Sequence, residues 1–400
     1  MFATAMLNAS SARKALAGFF LSGLLMSFLG AILPAWGYHL EEEYLTVGNF
    51  FLSMNIGILV AVWVGAWLLP ARGVRCGLIL ATTLACVAFL SLALIPAVAS
   101  PWWRIGGLFL LGAGTGFLSP SVFQILSTSY RHSPASTVNL AGTFFVLGCL
   151  VTTLLVGGTL YVYTVPSILV FLGLIPGFFA IILAKSKFDS IPVPPQPSLR
   201  EALSDLKSPA AVLLSIILFF QFGNEWGMAG WLTLFLTQRI GVSPEAALAM
   251  LALYWFSLMV GRVAIQALLG RVRHGRMLLA SGIAALLGCN ILVLTNNLFG
   301  AAVGILMVGG GFAAIYPLLV EKIGDRFPYY HPGFFNGIFS LAVTGGLLAP
   351  WTIGIYAHWW GIRVVMLLPM LGSCVVIILL LITSLYARLT AIPEVKTDAR

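Results

Sequence analysis

The chain has 400 residues, of which 60% are hydrophobic and only 8% charged, with a mean hydropathy of +1.03; soluble domains carry about 25% charged residues. This excludes a water-soluble globular protein and makes lipid the solvent, with room for about a dozen helices of about 20 residues each. The net charge of +9 is scattered over connecting segments, so no basic face suited to nucleic acid is formed.

In chain order, Arg13 and Lys14 precede an apolar run from Ala15 to Trp36. The run exceeds the about 7–15 residues of a signal-peptide core, so it reads as a retained first span. Hydropathy predicts spans at 15–37, 47–69, 75–98, 104–127, 137–161 and 165–184, then at 210–237, 245–269, 276–295, 299–321, 333–357 and 361–387. The expected fold class is an all-α membrane protein of twelve transmembrane helices, each satisfying its own backbone groups. Most basic residues, among them Arg72, Arg75, Lys185, Lys187, Arg271, Arg273, Arg276 and Lys322, then fall on one side, leaving Arg104, Arg239 and Arg363 on the other. The positive-inside rule places both termini in the cytoplasm, with a cell membrane, here a bacterial inner membrane, as the location. Trp102, Trp103, Trp359 and Trp360 sit at predicted outer span ends, where indole rings anchor at the headgroups.

Residues 185–209 contain Pro192, Pro194, Pro195 and Pro197, the composition of a stiff extended linker. Ser198 is placed to cap a short amphipathic segment beyond it. The linker divides the chain into a half at 1–184 and a half at 210–400. Gly112, Gly114, Pro120, Gln124, Asn139 and Gly148 recur at one constant offset as Gly309, Gly311, Pro317, Glu321, Asn336 and Gly345. Repeated halves related by an axis along the membrane normal place a solute site near the midplane between them.

Glu225 stands near the middle of the apolar stretch from Ala210 to Leu236, and Arg262 is the one other ionised residue deep within a predicted span. A charge at that depth costs about 2.5–3.5 kcal/mol on insertion scales and marks ion or substrate pathways. A carboxyl kept neutral at pH 7 costs about 3.7 kcal/mol, less than an unpaired buried carboxylate, so protonation of Glu225 couples an ion gradient to transport. One carboxyl suffices for a proton, which favours proton over sodium coupling; a structural carboxyl bonded to a neighbouring helix is the alternative. Arg262 lies about 10 Å inside the termini-side end of its span at 1.5 Å per residue. Direct pairing with Glu225 and a gate formed with Glu321 are both open to it.

Around Glu225, Trp226, Trp231, Tyr254 and Trp255 offer aromatic faces for a sugar ring, and Gln221, Asn224, Asn55 and Gln124 offer polar groups for its hydroxyls. Helical spacing groups Gln221, Asn224, Glu225 and Met228 on one face. Asn139 and Asn336 occupy symmetric positions near span starts, suited to a structural hydrogen bond or gate. Gly112, Gly114 and Gly116 lie inside an apolar helix, so they serve close packing and not a phosphate loop. The five cysteines show no CxxC spacing, and His39, His132, His274, His331 and His358 lie in or beside loops. No metal or cofactor and no enzymatic constellation is expected.

Gly223-Asn224-Glu225-Trp226-Gly227-Met228-Ala229-Gly230-Trp231, together with Asn139-Leu140, Phe144-Phe145, Gly148, Gly261-Arg262, Gly345-Gly346 and Pro350, resembles the fucose and glucose symporter branch of the major facilitator superfamily. The resemblance implies a monomeric secondary transporter moving a monosaccharide by alternating access. The chain departs from that pattern at Leu69, where the superfamily's loop signature has Asp, at Gly142, near which the branch often has His, and in its first span, which lacks an Asp. Export or flipping of an amphipathic molecule is the alternative function, and a membrane receptor or enzyme a further one.

Overall fold

Proline at the first or second helical position starts five helices, at Pro101, Pro134, Pro166, Pro209 and Pro244, where its missing N–H has no intrahelical partner to lose. The computed structural model describes residues 10–96, 99–132, 134–186, 206–269, 271–326 and 337–390. The helices are α1 (Ser10–Ile32), α2 (Tyr44–Ala93), α3 (Pro101–His132), α4 (Pro134–Thr159), α5 (Val165–Lys185), α6 (Pro209–Phe235), α7 (Pro244–Leu268), α8 (His274–Leu294), α9 (Leu298–Arg326), α10 (Gly337–Trp360) and α11 (Val364–Thr390). No strand occurs among the described residues. Residues 187–205, which hold the proline-rich linker, and Asn336 lie outside them.

Among the described residues, eleven helices are long and apolar enough to cross a membrane, and one of them crosses twice. At 50 residues, α2 would extend about 75 Å if straight, against a hydrocarbon core of about 30 Å. Gly73 breaks it with φ 79° and ψ 167°, a conformation that glycine adopts without steric penalty. A side chain at Gly77 would meet that of Leu69, although eight residues of straight helix separate atoms by about 12 Å. The chain therefore reverses at Gly73, which gives the spans predicted at 47–69 and 75–98 and brings the crossings to twelve. An even number of crossings puts Ser10 and Thr390 on one face, called here the termini face.

Helix α3 packs on both arms of α2, α1 packs on α4, and α5 packs on α2; α6 packs on α10 and α11, and α9 on both α7 and α8. The seams between these groups are α4 against α7 and α2 against α10, with smaller ones joining α1 to α6 and α4 to α9. Glycines at repeat positions do the same work twice. A Cβ at Gly148 would strike the Phe20 carbonyl and one at Gly345 the Phe219 carbonyl, while Gly112 and Gly309 meet the carbonyls of Met54 and Tyr254. Backbones approach this closely only where the side chain is absent.

The face opposite the termini is closed. Thr233 on α6 donates to the Gly30 carbonyl of α1 at 3.0 Å, and Gln238 to that of Glu41 at 3.2 Å. Asn55 on α2 donates to the Leu347 carbonyl of α10. Phe51 packs on Trp231 with ring centroids 6.2 Å apart.

Candidate functional site

A cavity of about 260 Å³ opens between the helix groups, lined from α1, α2, α3, α4, α6, α7, α9 and α10. Its lining residues on α4 run from Val138 to Phe145 and on α10 from Phe339 to Leu347, that is, from the termini side up to mid-span, where the Asn55–Leu347 contact closes the cavity toward the opposite face. Phe19, Phe123, Phe145, Phe222, Trp226, Tyr316 and Phe339 supply aromatic wall, and Ser22, Thr115, Ser119 and Ser340 supply hydroxyls. A mostly apolar wall with a few polar groups is the usual make-up of a small-molecule site.

Glu225 and Arg262 both face this cavity. Arg262 Nη2 stands 3.6 Å from Glu225 Oε1, and each side chain is only 5% exposed. Their pairing follows from helix direction, because Cα–Cβ bonds tilt toward the N-terminus of their own helix. Helix α6 runs from the termini face and α7 runs toward it, so Glu225 leans down and Arg262 leans back to mid-span. In this conformation, with the cavity open on the termini side, Arg262 is paired with Glu225 and Glu321 pairs with His274 Nδ1 at 3.4 Å, on the α8–α9 side. Counting Cα positions alone overstated the depth difference that this long side chain has to bridge.

The guanidinium also reaches across the α4–α7 seam. A Cβ at Gly142 would overlap Arg262 Nη1 and Cζ, so the absence of a side chain on α4 makes the room. One turn away, Asn139 donates to the Arg262 carbonyl at 2.8 Å and to Gln266 Oε1 at 2.9 Å, and Gln266 donates to Ser136 at 2.6 Å. Asn139 thus clasps α4 to α7 beside the charge pair.

The other sequence candidates divide by position. Trp226 lines the cavity, edge-on to Phe145 with centroids 5.8 Å apart. Trp255 and Tyr254 stand behind it, Trp255 6.2 Å from Trp226 and 5.0 Å from Tyr254, and the Tyr254 hydroxyl donates to the Glu225 carbonyl at 3.4 Å. Gln221 is fully buried one turn before Glu225, off the cavity lining. Asn224 turns to α11, where its amide fills the space a side chain at Gly372 would need. Trp231 is wholly buried and donates to the Pro350 carbonyl at 2.8 Å. Asn55 lines a second, small cavity of about 20 Å³ that shares Met26, Trp226 and Gly346 with the first. Gln124 is buried in α3 away from both. The contact of Gly142 with Arg262 and the hydroxyl residues escaped sequence reasoning, since hydropathy does not show which helices face each other and a helical serine does not stand out in an apolar run.

Residues 135–350 match the family profile of the Major Facilitator Superfamily. Among curated proteins, an uncharacterised MFS-type transporter of Yersinia pestis is 22% identical over 348 residues, covering 85% of this chain and 87% of that protein. A TsgA homologue of Buchnera aphidicola is 22% identical over 337 residues, with 82% and 83% covered. Among solved structures, FucP, a superfamily transporter in the outward conformation, superposes with a TM-score of 0.65 over 93% of this chain and 98% of that one, at 16% identity. A second structure of FucP, described as the E. coli fucose:proton symporter, gives 0.64 with the same coverage and identity. With over half its length matched to the family and this fold, the chain belongs to the major facilitator superfamily and is a membrane transporter, not an enzyme.

Proposed function

We propose that the chain carries a small polar solute, a monosaccharide, by proton-coupled symport through alternating access of two halves, 1–184 and 210–400, joined by the 185–209 linker, with both termini cytoplasmic. The carrying observation is the Glu225–Arg262 pair, buried mid-span on the wall of a cavity of about 260 Å³. A carboxyl so placed holds a proton or a counter-charge, because ionised and alone it would cost several kcal/mol. Its proton occupancy differs between states open to opposite sides, and that difference couples gradient to solute. Trp226 and Phe145 suit the C–H face of a sugar ring, and Ser22, Ser119 and Ser340 suit its hydroxyls. The description of FucP as a fucose:proton symporter agrees with this reading. With the termini cytoplasmic, the closed outer face and the termini-side cavity correspond to an inward-facing state, in which Asn139 and Arg262 hold the α4–α7 seam.

Proteoliposomes with an imposed pH gradient test it. Wild type is expected to accumulate a labelled monosaccharide above equilibrium, and Glu225→Gln to keep counterflow while losing accumulation. Undiminished gradient-driven accumulation in the variant would remove Glu225 from coupling. The aromatic, mainly apolar wall favours a second reading, export of an amphipathic molecule; extrusion of a lipophilic cationic dye without monosaccharide transport would select it.

A further inference from the structure

The Glu225–Arg262 contact joins one oxygen to one nitrogen at 3.6 Å, longer than the about 2.7–2.9 Å of a charge-assisted hydrogen bond. Glu225 Oε2 and Arg262 Nε are buried and have no hydrogen-bond partner in the protein. Asn139 binds the Arg262 backbone and not its guanidinium, and α4 presents only the bare Cα of Gly142 to that group. An arginine whose Nε and Nη2 are both incompletely matched offers the planar fork that fits two carboxylate oxygens. The geometry points to Arg262 as the binding group for the carboxylate of an anionic solute, which takes the Nε and Nη2 hydrogens together and displaces Glu225.

Glu225 then loses its counter-charge against an apolar wall and takes up a proton, so one proton enters with each carboxylate. The other titratable groups facing it are Tyr254 on α7, Cys149 on α4 and Tyr316 across the cavity on α9. Phenols and a thiol carry no positive charge in any protonation state, so none replaces Arg262. Among the described residues, α1, α10 and α11 present no charged side chain to the cavity. The aromatic walls receive the body of the solute, whether a sugar ring or an aromatic ring. This inference rests on the cavity being the transport site, as proposed above, and is independent of the solute being a sugar.

Isothermal titration of the purified full-length protein with D-glucuronate, benzoate and D-glucose, at about pH 6 and about pH 8, separates the possibilities. A carboxylate is expected to bind with affinity falling about tenfold per pH unit, the linkage for one proton taken up. Glu225→Gln is expected to bind it without pH dependence, and Arg262→Lys at least about tenfold more weakly, since an ammonium lacks the planar fork. Should Arg262→Lys fail to fold, Gly142→Ala, which displaces the guanidinium, is expected to show the same weakening. Glucose binding as tightly as glucuronate, or full affinity in Arg262→Lys, overturns the inference and leaves the sugar reading standing. Benzoate binding with neither sugar compound supports the inference and ends the sugar reading; binding of none of the three overturns both.

Discussion

At the scale of single residues, the two buried charges form one unit. Removing one partner leaves the other uncompensated, which typically costs about 3–5 kcal/mol, whereas removing both is often close to neutral. Glu225→Ala and Arg262→Ala are therefore expected to lower thermal stability in detergent more than the double substitution does, with a coupling energy of about 1–3 kcal/mol from the mutant cycle. Strict additivity would show that the 3.6 Å contact holds no stabilising interaction. Both charges were legible in the sequence because any ionised residue stands out in an apolar run. Their pairing was not, since it depends on the opposed lean of side chains on antiparallel helices. Nor was the turn of Asn224 toward Gly372: neighbouring residues on a helix point about 100° apart, and grouping four side chains on one face hides that divergence.

At the scale of elements, the helices themselves were readable to within a few residues, because hydropathy and proline report on lipid and on chain ends directly. The first helix is the instructive difference: the apolar run continues to Trp36, yet α1 ends at Ile32, just before Pro34. The repeat found in sequence acquires a physical meaning in the packing, since Gly148 and Gly345 each seat a carbonyl of a neighbouring helix. Gly148→Ala and Gly345→Ala are accordingly expected to destabilise to a similar degree, by about 1–3 kcal/mol each as for other overpacked positions. Comparison of their thermal unfolding midpoints with wild type measures this. A large loss for one and none for the other would break the equivalence. Gly73→Ala is a separate case, predicted to cost about 1–3 kcal/mol through backbone strain at φ 79°.

At the scale of the molecule, closure of the face opposite the termini depends on a few cross-seam contacts, Asn55 to Leu347 and Thr233 to Gly30 among them. Each hydrogen bond contributes about 1 kcal/mol, so Asn55→Ala with Thr233→Val is expected to shift the closed–open equilibrium by about thirtyfold toward opening there. Spin labels at Leu40 and Phe299, both exposed, in a background without the five native cysteines, report it: pulsed dipolar distances should gain a longer component. An unchanged distribution would assign closure to the surrounding apolar packing. Which seams form was not readable from hydropathy, because a span facing lipid and a span facing another helix have the same composition. The α4–α7 seam carries a further consequence. What Arg262 meets on α4 is a missing side chain, so the complementarity there is subtractive. A scan that truncates side chains to alanine deletes partners and passes over such a position; at residue 142 the damaging change is the addition of one carbon.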